Sequence, residues 1–310
     1  MAVLVTGAAG FIGYHVSEAL LARGESVIGV DDLNSYYDVA LKKARLARLG
    51  GNKDFTFHRL DIAGRGALEA ACQGAGIDRV VHLAAQAGVR HSLVDPFVYV
   101  RTNLVGQMEV LELCRHLPEF VHFVYASSSS VYGGNRKLPF SEDDRVDAPV
   151  SIYGATKKAD ELMSHPYSHL YRVPATGLRF FTVYGPWGRP DMAAYIFTRA
   201  IFAGEPITVF NDGDMKRDFT YIDDIVAGIV AALDNPPDDD GAEPPHRVYN
   251  IGNHRSEPLM RFIEVLEVAI GRKATIEFAP MQPGDVKETF ADIAAISRDL
   301  GFAPTTPIDE

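Results

Sequence analysis

The sequence predicts an α/β fold: a doubly wound parallel sheet with helices on both faces and a smaller lobe over its strand ends. Three observations lead there. Short apolar runs alternate with helical segments from residue 1 to about 180, the order that a parallel sheet requires. A glycine-rich turn joins the first run to the first helical segment. After Phe181 the alternation gives way to stretches rich in Gly and Pro. With 310 residues the chain is long enough for one large core or two unequal lobes. Residues 1–181 and 220–255 are assigned to the large lobe, and 182–219 and 256–310 to the small one.

Val3-Leu4-Val5 reads as a short buried strand leading into Thr6–Gly13 and a helical segment to Arg23. Gly7, Gly10 and Gly13 let the backbone approach a pyrophosphate, whose charge the following helix N-terminus favours. A second strand, Ser26–Val30, ends in Asp31-Asp32. An acid there accepts hydrogen bonds from an adenosine ribose and repels a 2′-phosphate, so NAD is expected rather than NADP. This is a Rossmann-type arrangement, with GxxGxxG in place of GxGxxG.

Asn34–Tyr37 reads as a loop and Val39–Leu49 as a basic helix with Lys42, Lys43 and Arg45, most of whose charges are expected on a solvated face. Phe55–Leu60 is a third strand, and Asp61-Ile62 at its end is placed to flank an adenine. Arg79–Ala85 is a fourth. Arg90 follows it, where ligands of open α/β sheets bind; a substrate phosphate or carboxylate and plain solvent exposure are both open to it. Phe97–Arg115 and Tyr153–Tyr171 read as long helices, apolar on more than one face. One face covers the sheet and the surplus suggests the same helices of a second subunit. Thr176–Phe180 and Arg247–Ile251 complete the strands. Thr182–Met192 reads as a loop, and Asn235–Pro245 as a polar surface loop.

The net charge of −11 argues against nucleic acid and anionic membranes as partners. Cys72 and Cys114 stand in unrelated helical segments with no metal-ligand spacing, as expected of reduced cysteines in a cytoplasmic protein with no metal site. Met1–Gly7 has no basic region of a signal peptide and no apolar run reaches membrane-spanning length, so a soluble protein is expected.

The chemistry centres on Ser127–Lys157. Four hydroxyls, Ser127 to Ser130, close the apolar run Phe120–Tyr125. Tyr153 and Lys157 lie four apart and share one face if a helix starts there. An ammonium beside a phenol favours the phenolate, which makes Tyr153 a general base towards an alcohol and a general acid in reverse. A chance pairing at this spacing is the alternative.

Thr6–Gly13, Leu83-Ala84-Ala85, Ser127–Gly133, Tyr153-x-x-x-Lys157 and Arg217–Asp224 together resemble the extended short-chain dehydrogenase/reductase superfamily, nucleotide-sugar branch. Leu33–Asp38, Arg179–Met192 and Met281–Val286 narrow the resemblance to the UDP-glucuronate 4-epimerases. The resemblance covers nearly the whole chain. Family members usually carry a further helix beyond the point where this sequence stops, Pro307–Glu310.

The resemblance implies a catalytic trio of Ser128, Tyr153 and Lys157, with Lys157 also on the nicotinamide ribose. Cofactor contacts are implied for Gly7, Gly10, Phe11, Ile12, Gly13, Asp31, Asn34, Lys42, Asp61, Ile62, Leu83, Ala84, Ala85, Tyr153, Lys157 and Phe180. The implied reaction oxidises C4 of a UDP-sugar to a ketone, lets the sugar turn about its diphosphate, and returns the hydride on the other face, so that bound NAD is regenerated. Related dehydratases carry an acidic pair at positions 129 and 130, where this chain has Ser129 and Ser130; UDP-glucuronate decarboxylases carry a glutamate at position 130. UDP-galactose 4-epimerases have asparagine at position 182 and an arginine near Gln282. Thr182 and Arg189 suit a C6 carboxylate instead, with a surface charge as the other reading of Arg189. Arg217 is the candidate for the diphosphate, with a surface ion pair as its alternative. Val209 and Phe210 are expected at the uracil, and Gln282 and Asp285 near the uridine ribose. Tyr195 is assigned either to that pocket or to aromatic packing. UDP-hexose epimerase and then UDP-glucuronate decarboxylase are the alternative activities, and a non-catalytic NAD-binding scaffold the alternative of another class.

Overall fold

A computed structural model describes residues 1–282 and 284–310. Pro283, part of the Met281–Val286 stretch, lies outside the described residues. The chain begins with β1 (Ala2–Thr6), α1 (Phe11–Ala22), β2 (Ser26–Asp31), α2 (Val39–Leu49), β3 (Phe55–Arg59), α3 (Ala67–Cys72) and β4 (Ile77–His82). Next come α4 (Pro96–Tyr99), a π-helical turn Val100–Val105, α5 (Gly106–His116), β5 (His122–Ser128) and α6 (Ile152–Tyr171). β6 (Ala175–Phe180), β7 (Thr182–Tyr184), α7 (Ala193–Ala203), β8 (Ile207–Phe210), β9 (Lys216–Arg217), β10 (Phe219–Tyr221) and α8 (Ile222–Asp234) follow. β11 (His246–Ile251), β12 (Glu257–Pro258), α9 (Leu259–Ile270), β13 (Ile276–Ala279) and α10 (Ala294–Leu300) complete it.

Seven strands form one sheet in the order β11-β6-β5-β4-β1-β2-β3, all in parallel register. The chain order reverses at β1, between β4 and β2, and a crevice opens there at the strands' C-terminal ends. β1 is buried along its whole length, as a parallel strand covered on both faces must be. One core layer, with Leu20, Val124, Leu178 and Ile225, packs α1 and α8 onto the sheet. The other, with Leu4, Val80, Leu111 and Phe123, lies under α3 and α5. A third core of Phe197, Ile201, Val209, Phe219, Phe262 and Ile308 belongs to the C-terminal part of the chain.

Three expectations are corrected. Residues 97–115 are not one continuous α-helix but α4, the π turn and α5. The turn carries Asn103 inward, where Asn103 Oδ1 accepts from Gln86 N at 2.8 Å and Nδ2 donates to Thr156 Oγ1 at 2.9 Å; an extra residue per turn aims one side chain at two elements. Thr182–Tyr184 is a strand, not loop, because Phe219–Tyr221, far along the chain, pairs with it in parallel. In α2 only Lys43 of the three named charges is exposed. Arg45 is fully buried and donates to Ala9 O at 2.8 Å and Trp187 O at 2.6 Å, fastening α2 between the glycine turn and the Pro186–Gly188 loop. No helix among the described residues is long and apolar enough to cross a membrane, and no group of His, Cys, Asp or Glu among them is arranged to hold a metal ion.

Candidate active site

A cleft of about 990 Å³ runs along the strand ends from the β1–α1 turn to β8. At its first end α1 begins at Gly10 with no side-chain cap, leaving helix N–H groups free for an anion. A Cβ on Gly13 would stand 2.1 Å from Gly7 O; only glycine lets the first turn of α1 sit this close. Gly7, Gly10, Phe11, Ile12 and Gly13 all line the cleft. At the tip of β2, Asp31 accepts from Ala9 N at 3.2 Å and Leu33 N at 2.9 Å. Burial pushes its carboxyl up, against the pull of Lys42. Lys42 is itself buried and donates to Asn34 Oδ1 at 3.0 Å. Asp61, Ile62, Leu83, Ala84, Ala85 and Phe180 line the same end. These groups fit a dinucleotide with a free 2′-hydroxyl.

The middle of the cleft is built by β5 and α6. Ser151 caps α6 by accepting from Gly154 N at 3.0 Å, so the helix starts in time to put Tyr153 and Lys157 on one face. A Cβ on Gly154 would meet Ser130 O at 2.5 Å, which is why the serine loop and the helix start can touch. Ser128 ends β5, is nearly buried, and accepts from Ser130 N at 3.1 Å. Ser129, Ser130 and the half-buried Tyr153 line the cleft beside it. Lys157 Nζ donates to Ala126 O and to Asp160 Oδ2, both at 2.9 Å. Behind the serines, Glu161 accepts from Ser127 Oγ at 2.6 Å and from Arg179 Nε and Nη2 at 2.8 and 2.9 Å. Burial alone would favour the neutral acid, but Arg179 holds Glu161 below the ordinary carboxylate range.

At the far end Thr182, Arg189, Phe210, Arg217 and Asp285 line the cleft, with Arg90. Arg90 stacks on Phe210, 4.7 Å from its ring centre, and reaches Asp285 at 3.2 Å. Arg217 donates to two backbone carbonyls, Lys216 O at 2.8 Å and Lys287 O at 3.1 Å. No carboxylate forms an ion pair with it among the described residues, and burial pulls its charged form down; a half-buried guanidinium in that state favours an arriving anion. Three residues named for this end stand apart. The Val209 side chain is fully buried in the third core, because alternate residues of β8 face opposite ways and Phe210 takes the cleft side. Gln282 does not line the cleft, and Tyr195 is exposed.

The NAD dependent epimerase/dehydratase family profile matches residues 3–252. The chain belongs to that family. A probable UDP-glucuronate 4-epimerase of Rhizobium meliloti (strain 1021) is 46% identical, over 100% of this chain and 94% of its own. UDP-glucuronate 4-epimerase 1 of Arabidopsis thaliana is 45% identical over 100% of this chain and 74% of its own. Among solved structures, UDP-glucuronic acid 4-epimerase from Bacillus cereus in complex with UDP-glucuronic acid and NAD has a TM-score of 0.91 at 39% identity, over 100% of this chain and 96% of that one.

Within this epimerase/dehydratase fold the cleft holds groups that the sequence reading passed over. Arg189, expected to face a substrate carboxylate, already grips one: its Nε and Nη2 donate to Asp191 Oδ1 and Oδ2 at 3.0 and 2.5 Å. Burial favours the neutral acid, yet Arg189 holds Asp191 below the ordinary range. Tyr36 donates to the same carboxylate at 3.0 Å, tying the loop after β2 to the loop after β7 across the cleft wall. Tyr36 and Asp191 both sit in stretches that carried the resemblance, Leu33–Asp38 and Arg179–Met192. That was the signal available for them.

Proposed function

We propose that the protein interconverts UDP-glucuronic acid and UDP-galacturonic acid by transient oxidation at C4. The carrying observation is the composition of one cleft. It sets Ser128, Tyr153 and Lys157 between the glycine-turn end and an arginine-rich end with Arg90, Arg189 and Arg217, and the residues next to Ser128 are Ser129 and Ser130 rather than an acidic pair. NAD, held at the glycine-turn end, would supply reversible hydride chemistry at C4.

In this reading Tyr153 removes the 4-hydroxyl proton and later gives it back, while Ser128 donates to the same oxygen and holds the sugar in line. Lys157 steadies the phenolate and reaches the nicotinamide ribose. Gly7, Gly10 and Gly13 offer backbone N–H groups to the pyrophosphate, and Asp31 accepts from the adenosine ribose. Asn34, Lys42, Asp61, Ile62, Leu83–Ala85 and Phe180 complete that end. Arg217 and Arg90 hold the diphosphate, so that the sugar turns about a fixed anchor, with Phe210 and Asp285 at the uridine.

The uronate carboxylate sets a second requirement. A 4-keto uronic acid is a β-keto acid and loses CO₂ when the C5–carboxyl bond stands perpendicular to the carbonyl plane. Ser129, Ser130 and Thr182 fix that group in an unreactive orientation, and Arg189 shares its fork between Asp191 and the substrate. Residues 1–181 and 220–255 act as the cofactor lobe, and 182–219 and 256–310 as the sugar-nucleotide lobe.

The exposed apolar side chains Phe97 on α4, Val100 and Val105 on the π turn, Met108 on α5, and Leu162 and Leu170 on α6 support a homodimer through these helices. Buried free cysteines, Cys72 and Cys114, accord with a cytoplasmic location.

Proton NMR of the sugars formed from UDP-glucuronate tests the reading. UDP-galacturonate accumulating to a stable mixture supports it. UDP-xylose or a 4-keto pentose as the main product refutes the assignment of the serines and Thr182. Turnover of UDP-glucose alone moves the activity to neutral hexoses.

A further inference from the structure

Lys157 is the cation of the proposed site, yet it does not stand alone. Its ammonium is almost wholly buried and is held 2.9 Å from Asp160 Oδ2, three residues on along α6 and equally buried. Its other fixed bond, to Ala126 O, ties it to β5. The second carboxylate oxygen, Asp160 Oδ1, is buried and has no hydrogen-bond partner. A structural ion pair would be expected to satisfy both oxygens. This carboxylate spends its one strong bond on the site lysine.

We propose that Asp160 is a positioning residue for Lys157: it pins the ammonium and cancels its charge, so that Lys157 serves Tyr153 as half of a buried neutral pair rather than as a lone cation. The inference rests on the reading of Tyr153 as the proton-transferring group. It goes beyond that reading by making the field on Tyr153 depend on whether Asp160 carries its charge.

The surroundings leave Asp160 as the group that changes. Burial outweighs Lys157 and pushes the Asp160 carboxyl up to about 6. Glu161 beside it on α6 is committed to Arg179 and Ser127. From β5, burial drives the Tyr125 phenol far up. On β4, His82 feels Lys157, and burial first and that charge second push it down to about 3. The nearby side chains of the π turn and α5, Asn103 and Gln107, are uncharged and bond to Thr156 and Ser164 of α6. When Asp160 takes up a proton on acidification, the ammonium is left uncompensated and favours the phenolate. The pair thereby opposes loss of the base as pH falls.

Asp160→Asn makes the uncompensated state permanent while an amide oxygen still accepts from Nζ. With the wild type turning over UDP-glucuronate, kcat/KM is measured from about pH 5 to 9 for both proteins. The acid limb of the variant is expected about one pH unit lower, the Coulomb effect of removing one charge about two helical turns (~10 Å) away at an effective dielectric of ~20. An unmoved limb in a folded, active variant overturns the proposal, since a merely structural role does not shift it. A wild type inactive on this substrate refutes the functional reading instead. A thermal-unfolding cycle then decides on Asp160, as it does if the amide variant fails to fold. Lys157→Met leaves a buried bare carboxylate, so Lys157→Met/Asp160→Asn is expected to melt above Lys157→Met. A double variant that melts no higher overturns the pairing.

Discussion

Replacing Glu161 by glutamine tests how the large lobe holds its serine loop. Glu161 and Arg179 are about 4% exposed or less and make a forked pair at 2.8 and 2.9 Å. Arg179 also donates to Tyr132 OH at 3.0 Å, and Tyr132 OH donates to Asn250 Oδ1 at 2.7 Å. The network therefore crosses the sheet from α6 through β6 to β11, and Ser127 Oγ hangs from its first member. Glutamine keeps the shape but leaves the Arg179 charge buried without compensation, which costs ~3–5 kcal/mol. Unfolding entropy of ~2.1 cal/mol/K per residue over 310 residues gives roughly 0.65 kcal/mol/K, so the melting temperature falls by about 5–8 °C. Adding Arg179→Met removes the stranded charge and recovers part of the loss. The sign with pH follows from Glu161 lying below its ordinary value in the folded state. Its contribution is complete above the unfolded-state carboxylate range, near 4.3, and is lost as pH falls through the folded value. Glu161→Gln is therefore closest to the wild type in stability at the acid end. Calorimetry and urea unfolding at two pH values read this directly. A single substitution costing less than about 1 kcal/mol, or a gap that widens on acidification, refutes the reasoning.

Tyr153→Phe removes the proton-transferring hydroxyl and is expected to lower kcat by ~10²–10⁴ with NAD still co-purifying; a loss under tenfold would remove Tyr153 from the role. Thr182→Val takes a hydroxyl donor from the carboxylate end and is expected to lower turnover and to yield a UDP-pentose that the wild type does not make, seen by NMR of the products. Full activity with no such product would clear Thr182 of the orienting role. Asp191→Asn frees the Arg189 fork from its internal carboxylate, so KM for UDP-glucuronate should fall by about three- to tenfold, within the strength of a charge-assisted pair. KM for UDP-glucose should stay unchanged, and an equal change for both sugars would rule out a selective effect.

Where the sequence read correctly, the determinants are local. The glycine turn, Asp31 at the end of β2, and Tyr153 with Lys157 on one helical face are each decided within a few residues, by backbone clearance, strand length and the 3.6 period. The alternation of apolar runs with helices was enough for the parallel sheet. What was hidden depends on distant partners. Arg45 looked solvated because its acceptors Ala9 and Trp187 lie 36 and 142 residues away. β7 looked like a loop because β10 completes it. Asp191 on Arg189 is local by number, yet only the folded loop brings the fork to the carboxylate and Tyr36 to both. For Val209 and Phe210 the residues were adjacent, and the strand's alternation separated them, one into the core and one into the cleft.

The claim at the centre is that the hydrogen at C4 leaves and returns within one cleft. UDP-glucuronate carrying deuterium at C4, incubated with the protein as purified and no added NAD, tests it most directly by NMR. The account predicts UDP-galacturonate that keeps its deuterium at C4. Exchange of that deuterium for solvent hydrogen, or no change at C4 at all, would contradict it.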